Sequence, residues 1–132
     1  MTTPQLTPFA TLTVTLSFTP IGKVDAGFRL DVPFEGTAPS SHWEGERPVS
    51  GVDHVTVADS GIQSLDIRGR IGTGKEVVAY RAIGRGSDAG PREVFTFETA
   101  SEELAFLNGA VGVGVGSIDG DQLTLEVSLL DA

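Results

Sequence analysis

The clearest chemical motif of the sequence lies in residues 65–80, LDIRGRIGTGKEVVAY, where GTGK has the pattern that ends a phosphate-binding loop. Such a loop requires serine or threonine after the lysine and then a helix, because the loop amides and the helix N-terminus hold the phosphates together. Here Glu76 follows Lys75, and the next residues, VVAY, favour a strand. We therefore predict a hairpin turn at GTGK and no nucleotide site.

The sequence offers one candidate metal site. On a strand over residues 41–47, His42, Glu44 and Glu46 would share one face, and His54 could lie beside them on the next strand. Two histidines and a carboxylate can bind a divalent ion. The close His-x-His pair of known barrel metal sites is missing, however, and polar strand faces normally point to solvent. We interpret this segment as an exposed charged face and predict no metal and no other cofactor.

Asp66 and Arg68 form the candidate catalytic pair. Arg68 could bind a carboxylate or phenolate of a substrate, and Asp66 could orient it or carry a proton. The alternation of the strand argues against this role, because Leu65, Ile67 and Ile71 occupy the apolar phase and leave Asp66 and Arg68 on the opposite face. From the pattern, the two charged residues form a solvated ion pair on the outer face.

Composition limits the kind of partner. The 132 residues carry 18 acidic and 9 basic side chains, a net charge of −9 that opposes binding to nucleic acid and to anionic membranes. The absence of cysteine excludes disulfides and thiolate chemistry. The N-terminus lacks a signal-peptide pattern. We expect a soluble cytoplasmic protein with a single domain over residues 1–132, of which residues 1–8 are mobile.

A period of two in the apolar residues dominates the chain and predicts strands. It is clearest in residues 11–19, 26–34 and 122–129, and weaker in residues 41–47, 52–58, 62–71, 76–84 and 92–98. In residues 111–116 valine alternates with glycine, so one face of that strand has no side chains and another element can lie close to it. Only residues 99–108 predict a helix, with a capping box at its start and Asn108-Gly109 at its end.

Many short antiparallel strands with one short helix are typical of a closed barrel or a sandwich. We predict an all-β fold, a small antiparallel β-barrel of about eight or nine strands with one short helix. An eight-stranded barrel has an interior just large enough for packed side chains or one small ligand. Tyr80 and Trp43, the only tyrosine and tryptophan, could stack on such a ligand or fill the core.

Several short blocks occur in a recognisable order: Gly27-Phe28-Arg29, Val32-Pro33, Gly36-Thr37, Trp43-Glu44-Gly45, Gly51-Val52-Asp53-His54, Leu65-Asp66-Ile67-Arg68, Phe97-Glu98-Thr99 and Ala105-Phe106-Leu107-Asn108. In these blocks the sequence resembles the domain-of-unknown-function family 3237, also called UPF 0311. The chain departs from the family at Gly69, where relatives typically have tyrosine, at the GTGK turn, at Phe106 for tryptophan and at His54, where tryptophan is common.

The resemblance implies a small soluble barrel, often oligomeric, with a pocket inside. It implies a cofactor-independent lyase, isomerase or cyclase acting on an apolar aromatic or polyketide-like metabolite. The alternatives are a non-catalytic ligand-binding or carrier barrel, and a barrel filled by its own side chains. The site residues expected on this basis are Asp66, Arg68, His54 and Glu98 for catalysis, and Arg29, Trp43, Tyr80 and Asn108 for substrate binding.

Overall fold

A computed structural model describes residues 3–131 and confirms the antiparallel barrel. Its nine strands are β1 (Leu6–Leu16), β2 (Thr19–Val24), β3 (Gly27–Pro39), β4 (Glu46–Val57), β5 (Gln63–Ile71), β6 (Val78–Gly86), β7 (Arg92–Thr99), β8 (Val111–Asp119) and β9 (Gln122–Leu130). Strand β1 begins inside the segment expected to be mobile, and residues 1–2 and 132 lie outside the described residues.

Eight of the strands close into a barrel. The strands follow the order β1-β9-β8-β7-β6-β5-β4-β3, and β1 also pairs with β3, which closes the circle. Thr13 to Leu16 of β1 pair with Thr37 to Phe34 of β3. The ninth strand, β2, pairs only with β3 and lies outside the closed ring. Among residues 3–131 there is no helix long and apolar enough to span a membrane.

The period of two places the apolar residues inside the barrel, as predicted. Strand β1 turns Leu12 and Val14 inward and leaves Thr13 and Thr15 in solvent. At one end of the barrel Phe9, Phe95, Leu104 and Leu107 are almost fully buried and fill the interior. This end is therefore closed by packed side chains.

The glycine face of β8 points inward and receives aromatic rings. A Cβ atom added at Gly114 would lie 2.8 Å from Cε1 of Phe95, and one added at Gly112 would lie 3.1 Å from Cζ of Phe97. Phe95 and Phe97 stack with their ring centroids 5.9 Å apart. The prediction that another element lies close to this strand is confirmed, and that element is β7.

Two local predictions were wrong. Residues 41–45 form turns and bends, and β4 begins only at Glu46. The predicted helix over residues 99–108 is reduced to a 3₁₀-helix at Ala105–Gly109. Thr99, the first residue of the predicted helix, is bonded instead to the Asn108 side chain. The Asn108 amide oxygen accepts from the Thr99 N–H at 2.8 Å, and the amide nitrogen donates to the Thr99 carbonyl at 3.0 Å.

The GTGK segment connects β5 and β6 as predicted, with one 3₁₀ turn at Gly74–Glu76.

Candidate functional site

The interior of the barrel contains a cavity of about 300 Å³ at the end opposite the packed aromatic rings. Its wall includes Phe18 and Ile118, which are 55% and 52% exposed, so the cavity opens to solvent at this end. The other lining residues are mainly apolar: Leu16, Leu30, Val32, Asp53, Val55, Val57, Gln63, Leu65, Gly86, Ser87, Pro91, Glu93 and Leu123. The barrel is thus filled at one end and open at the other.

Three polar side chains lie at the inner end of this cavity: Asp53 of β4, Tyr80 of β6 and Glu93 of β7. All three line a smaller space of about 30 Å³, which shares Asp53, Glu93, Leu16 and Leu123 with the larger cavity. Each occupies the inward phase of its strand, where its neighbours at i±2 are apolar or glycine. Three strands therefore each contribute one polar side chain to the same place in an otherwise apolar lumen.

Burial perturbs both carboxyl groups. Glu93 is only 5% exposed, and this burial, together with the nearby Asp53 carboxyl, raises the pKa of Glu93 to about 8. Burial also raises the pKa of Asp53 to about 6, partly offset by a hydrogen bond from the Asp66 backbone N–H at 3.2 Å. At neutral pH the Asp53 carboxyl is therefore mainly ionised and the Glu93 carboxyl mainly protonated.

Tyr80 supplies a neutral phenol beside these carboxyl groups. Burial raises the pKa of Tyr80 above its ordinary value, and the charges of Glu93 and Asp53 add to this effect. The phenol therefore stays protonated at neutral pH and can donate a hydrogen bond. The site combines one carboxylate, one carboxylic acid and one phenol, the groups needed to take a proton from one position of a ligand and return it at another.

Tyr80 fills the space that its cross-strand partner Gly69 leaves empty. A Cβ atom added at Gly69 would lie 2.4 Å from Cζ of Tyr80 and 2.5 Å from its hydroxyl oxygen. The tyrosine expected at position 69 from the family resemblance is thus absent, and a phenol reaches the same region of the lumen from β6. Gly69 is the residue that makes room for it.

Gly69→Ala is expected to displace the Tyr80 ring and lower the free energy of unfolding by about 1–3 kcal/mol, as overpacking does in well-packed interiors. Urea denaturation measures the loss. Gly109→Ala is the matched control, because an added Cβ atom there meets no atom within 4 Å. Equal stability of the two variants would show that the ring is not held against Gly69.

The structure places Asp66 and Arg68 on the outer face, as the alternation predicts and contrary to the lumen position considered from the resemblance. Arg68 is exposed, and Asp66 pairs with Arg81, whose Nε atom lies 3.4 Å from an Asp66 carboxylate oxygen. Leu65 and Ile67 take the inward positions of this strand and are buried. Neither charged side chain of the candidate pair reaches the cavity.

Most of the other expected site residues also lie outside the lumen. His54 is exposed and its Nδ1 atom lies 2.9 Å from an Asp31 carboxylate oxygen. Arg29 and Glu98 are exposed. Asn108 binds the backbone of Thr99, as described above. Their positions do not support the catalytic or substrate-binding roles inside the barrel that were expected for them.

Trp43 is part of the closed end and not a wall of the cavity. Its indole N–H donates to the Ala38 carbonyl at 2.9 Å, and its ring meets the Phe9 ring edge to face. The Arg47 guanidinium lies 4.7 Å from the Trp43 ring centroid on the other side. Of the eight expected site residues, only Tyr80 lines the lumen, in the smaller space at its inner end.

Asp53 and Glu93 were missed, although the sequence carries a signal for both. Asp53 shares its strand phase with Val49 and Val55, and Glu93 shares its phase with Phe95 and Phe97. A carboxylate in the apolar phase of a strand is costly to bury without a reason. The signal for both residues is thus an acidic side chain among the apolar, inward-facing positions of a strand, and not a cluster of charges on its outer face.

The described residues include no group of three or more histidine or acidic side chains placed to bind a metal ion. His42, Glu44 and Glu46 of the segment considered above are all exposed, in a loop and at the start of β4.

Comparison with known proteins identifies the fold. No protein-family model matches the chain, and no curated protein matches its sequence. Among solved structures, it is similar to a protein with unknown function from Clostridium acetobutylicum (TM-score 0.87, 19% identity, 99% of each chain covered). It is also similar to a beta-barrel-like protein from Acinetobacter baumannii (TM-score 0.86, 22% identity, 99% and 98% covered).

A further structural match is an enzyme from Penicillium herquei (TM-score 0.70, 14% identity, 99% and 97% covered). At these identities the likeness concerns the fold alone. The barrel found here is therefore an architecture that occurs in bacteria and in a fungus, and in at least one protein that is an enzyme.

Proposed function

We propose that the barrel binds a small apolar metabolite in its open lumen and catalyses a proton transfer on it without a cofactor, with Asp53 as the base and Glu93 as the acid. The observation that carries this proposal is that the two carboxyl groups and the Tyr80 phenol line the same small space at the inner end of an apolar cavity. Such a pocket with a few convergent polar groups is the usual form of a small-molecule site.

The proposed chemistry requires no group beyond these side chains. The Asp53 carboxylate accepts a proton from an acidic C–H or O–H group of the ligand, and the Glu93 carboxylic acid donates a proton to another position. Tyr80 donates a hydrogen bond to an oxygen on which negative charge develops. The proton taken up by Asp53 then passes to Glu93, which restores both groups to their starting states, so the cycle balances and fits a lyase, an isomerase or a cyclase.

The size and lining of the cavity support a small ligand. A volume of about 300 Å³ is at the lower end of the usual range for ligand pockets and suits a molecule of one or two rings. The mainly apolar wall supports an aromatic or polyketide-like body. The likeness to the Penicillium herquei enzyme supports the view that this barrel can carry catalysis, and kinship with family 3237 is proposed on the residue blocks given above.

Isotope uptake tests the proposal. The protein is incubated with small-molecule extract from cells in deuterated water, and mass spectrometry follows consumption of metabolites and incorporation of deuterium. We expect at least one apolar metabolite to be converted, and Asp53→Asn or Glu93→Gln to slow this by about 10²–10⁴-fold, the usual contribution of a general acid or base. Glu35→Gln, an exposed carboxylate on the outer face of β3, is the control.

The possible outcomes separate the candidate functions. Retention of an unchanged metabolite by the wild-type protein, with no deuterium uptake, would favour the carrier. Conversion that survives both substitutions would contradict the assigned acid and base. If no metabolite is converted or retained, the lumen is not a metabolite site.

A further inference from the structure

The lumen has an unbalanced charge. Its described lining residues include two carboxyl groups, Asp53 and Glu93, and no lysine, arginine or histidine. Buried acidic groups are normally paired with a cation or with hydrogen-bond donors, because an uncompensated charge in an apolar interior is expensive. The protein itself supplies no cationic side chain to this cavity.

Glu93 in particular lacks a partner. It is 95% buried, since only 5% of its surface is exposed, and its carboxyl group lines both parts of the cavity. Within residues 3–131 no side chain or backbone group forms a hydrogen bond to this carboxyl group. The two influences on its pKa are its burial and the nearby charge of Asp53. No fully shielded side-chain oxygen or nitrogen among the described residues lacks a partner, so the Glu93 carboxyl group faces the lumen and meets whatever fills it, water or a ligand.

Exposed aspartates also lie around the mouth of the barrel. Five connections surround the open end, β1–β2, β2–β3, β4–β5, β6–β7 and β8–β9, and all but β1–β2 contain aspartate. The residues are Asp25, Asp59, Asp88, Asp119 and Asp121, all of them exposed. Clefts lined by one sign of charge attract ligands of the opposite sign and repel those of the same sign.

Four basic residues lie near this end, Lys23, Arg29, Arg85 and Arg92, so the excess of negative charge at the mouth is small. Lys23 pairs with Asp59, with its Nζ atom 3.1 Å from the carboxylate. Arg85 and Arg92 lie on the outward phase of β6 and β7. The Arg85 guanidinium donates to the Gly84 carbonyl at 3.0 Å, and that of Arg92 donates to the Pro91 and Gly116 carbonyls at 2.9 and 3.3 Å. The arginines keep their charge in these contacts, so any selectivity for a cation rests mainly on the carboxyl groups inside the lumen.

We infer that the lumen selects ligands carrying a positive charge, a protonated amine on an apolar body, and rejects carboxylates and phosphates. This inference rests on the proposed function in that it takes the lumen as the binding site. The ammonium group neutralises the negative charge at the inner end, while the apolar part of the ligand lies against the aliphatic and aromatic wall. An anionic ligand would have to enter the same cavity with no cation to receive it.

Three probes of similar shape and different charge test the inference. Binding of 2-phenylethylamine, 2-phenylethanol and phenylacetate to the full-length protein is measured by isothermal titration calorimetry at pH 7.5 and low salt. We expect the amine to bind about tenfold or more tightly than the alcohol, and phenylacetate to bind more weakly than either. The ammonium is expected to pair with the ionised Asp53 carboxylate, so Glu93 keeps the proton that its proposed role as the acid requires, and the heat of amine binding should depend little on the buffer.

Two variants identify the inner groups responsible. Asp53→Asn is expected to remove most of the preference for the amine over the alcohol, whereas Glu93→Gln, which leaves a neutral group at this position, is expected to keep most of it. Both replacements keep the shape of the side chain. The alcohol serves as the internal control for folding, because its binding should survive the loss of charge.

Removing aspartate charges at the mouth tests whether these surface charges contribute to amine binding. Asp88→Asn combined with Asp119→Asn is expected to weaken amine binding at low salt severalfold, with the difference disappearing at high salt. Glu102→Gln combined with Glu103→Gln removes the same charge from exposed positions at the closed end and should leave the affinity unchanged.

The inference is overturned if phenylacetate binds as well as the amine, if the amine and the alcohol bind equally, or if none of the three binds. These results do not depend on turnover. Equal binding of amine and alcohol would leave the proposed proton transfer standing, whereas amine selectivity without any conversion of metabolites would uphold the inference and reject the catalytic proposal.

Discussion

Glu93→Gln is expected to remove most of the loss of folding stability that the wild-type protein shows as the pH rises from about 4.5 to about 8. An unfolded glutamate titrates near 4.5, whereas burial raises the pKa of Glu93 to about 8 in the folded protein. Between these values the folded state holds a proton that the unfolded state has released. The free energy of unfolding therefore falls as the pH rises through this window.

The size of this effect is on the order of a few kcal/mol, because each unit of pKa difference corresponds to about 1.4 kcal/mol. Asp53 adds a similar but smaller loss between about 3.8 and 6, since burial raises its pKa as well. Urea denaturation at a series of pH values from about 3.5 to about 9 measures both contributions. Glutamine at position 93 cannot ionise, so the variant should retain only the Asp53 contribution and the general effect of net charge.

Glu98→Gln is the matched control for this measurement. It lies on the same strand and makes the same chemical change, but it is exposed on the outer face. Its profile should run parallel to that of the wild-type protein. A Glu93→Gln profile that also runs parallel to the wild type would mean that Glu93 is not protonated in the folded protein at neutral pH, and would remove the acid from the proposed mechanism.

Phe95→Ala is expected to lower the free energy of unfolding by about 3–5 kcal/mol, the usual cost of deleting a buried phenylalanine ring. Phe95 is 1% exposed and lies at the centre of the aromatic packing. Its ring centroid is 5.2 Å from that of Tyr80 and 5.9 Å from that of Phe97, and the ring covers the glycine face of β8. Removing it leaves a cavity that these neighbours cannot easily fill.

Val94→Ala is the control that distinguishes the loss of packing in Phe95→Ala from a change in strand propensity. Val94 is the preceding residue of β7, points to the outer face and is 49% exposed. Its replacement should cost well under 1 kcal/mol, because exposed positions contribute little to burial. Similar losses for the two variants in urea denaturation would contradict the described packing of Phe95 against β8. Tyr80 absorbance in Phe95→Ala reports whether the loss extends to the inner end of the lumen.

The strands were predictable because their signal is local. In residues 11–16, 28–34 and 123–129 each apolar residue alternates with a polar one, and one buried face is enough to fix the phase of a strand. The glycines of β8 were predictable for the same reason, since an empty face must be covered. The pairing of β1 with β3 that closes the barrel was not, because it joins residues 18 to 24 positions apart and leaves no local pattern in the sequence.

The candidate site was predicted less well, and the reason is also physical. On a half-buried strand most charged side chains, such as those of Asp66 and Arg68, lie on the solvent face, where they need not be desolvated. The informative residues are single carboxylates in the apolar phase, Asp53 and Glu93. That they meet across the lumen depends on the barrel register, which the alternation of one strand does not contain.

The strand outside the ring, β2, has a consequence for how this protein behaves at high concentration. A strand that is paired on one side only offers its free backbone groups to other chains, and this is a common route to aggregation. β2 is short, and its pairing with β3 is irregular between Pro20 and Gly22. Pro20 has no N–H to offer, and Lys23 places a charge on the strand. The one strand left outside the closed ring is thus built to resist pairing with a second chain.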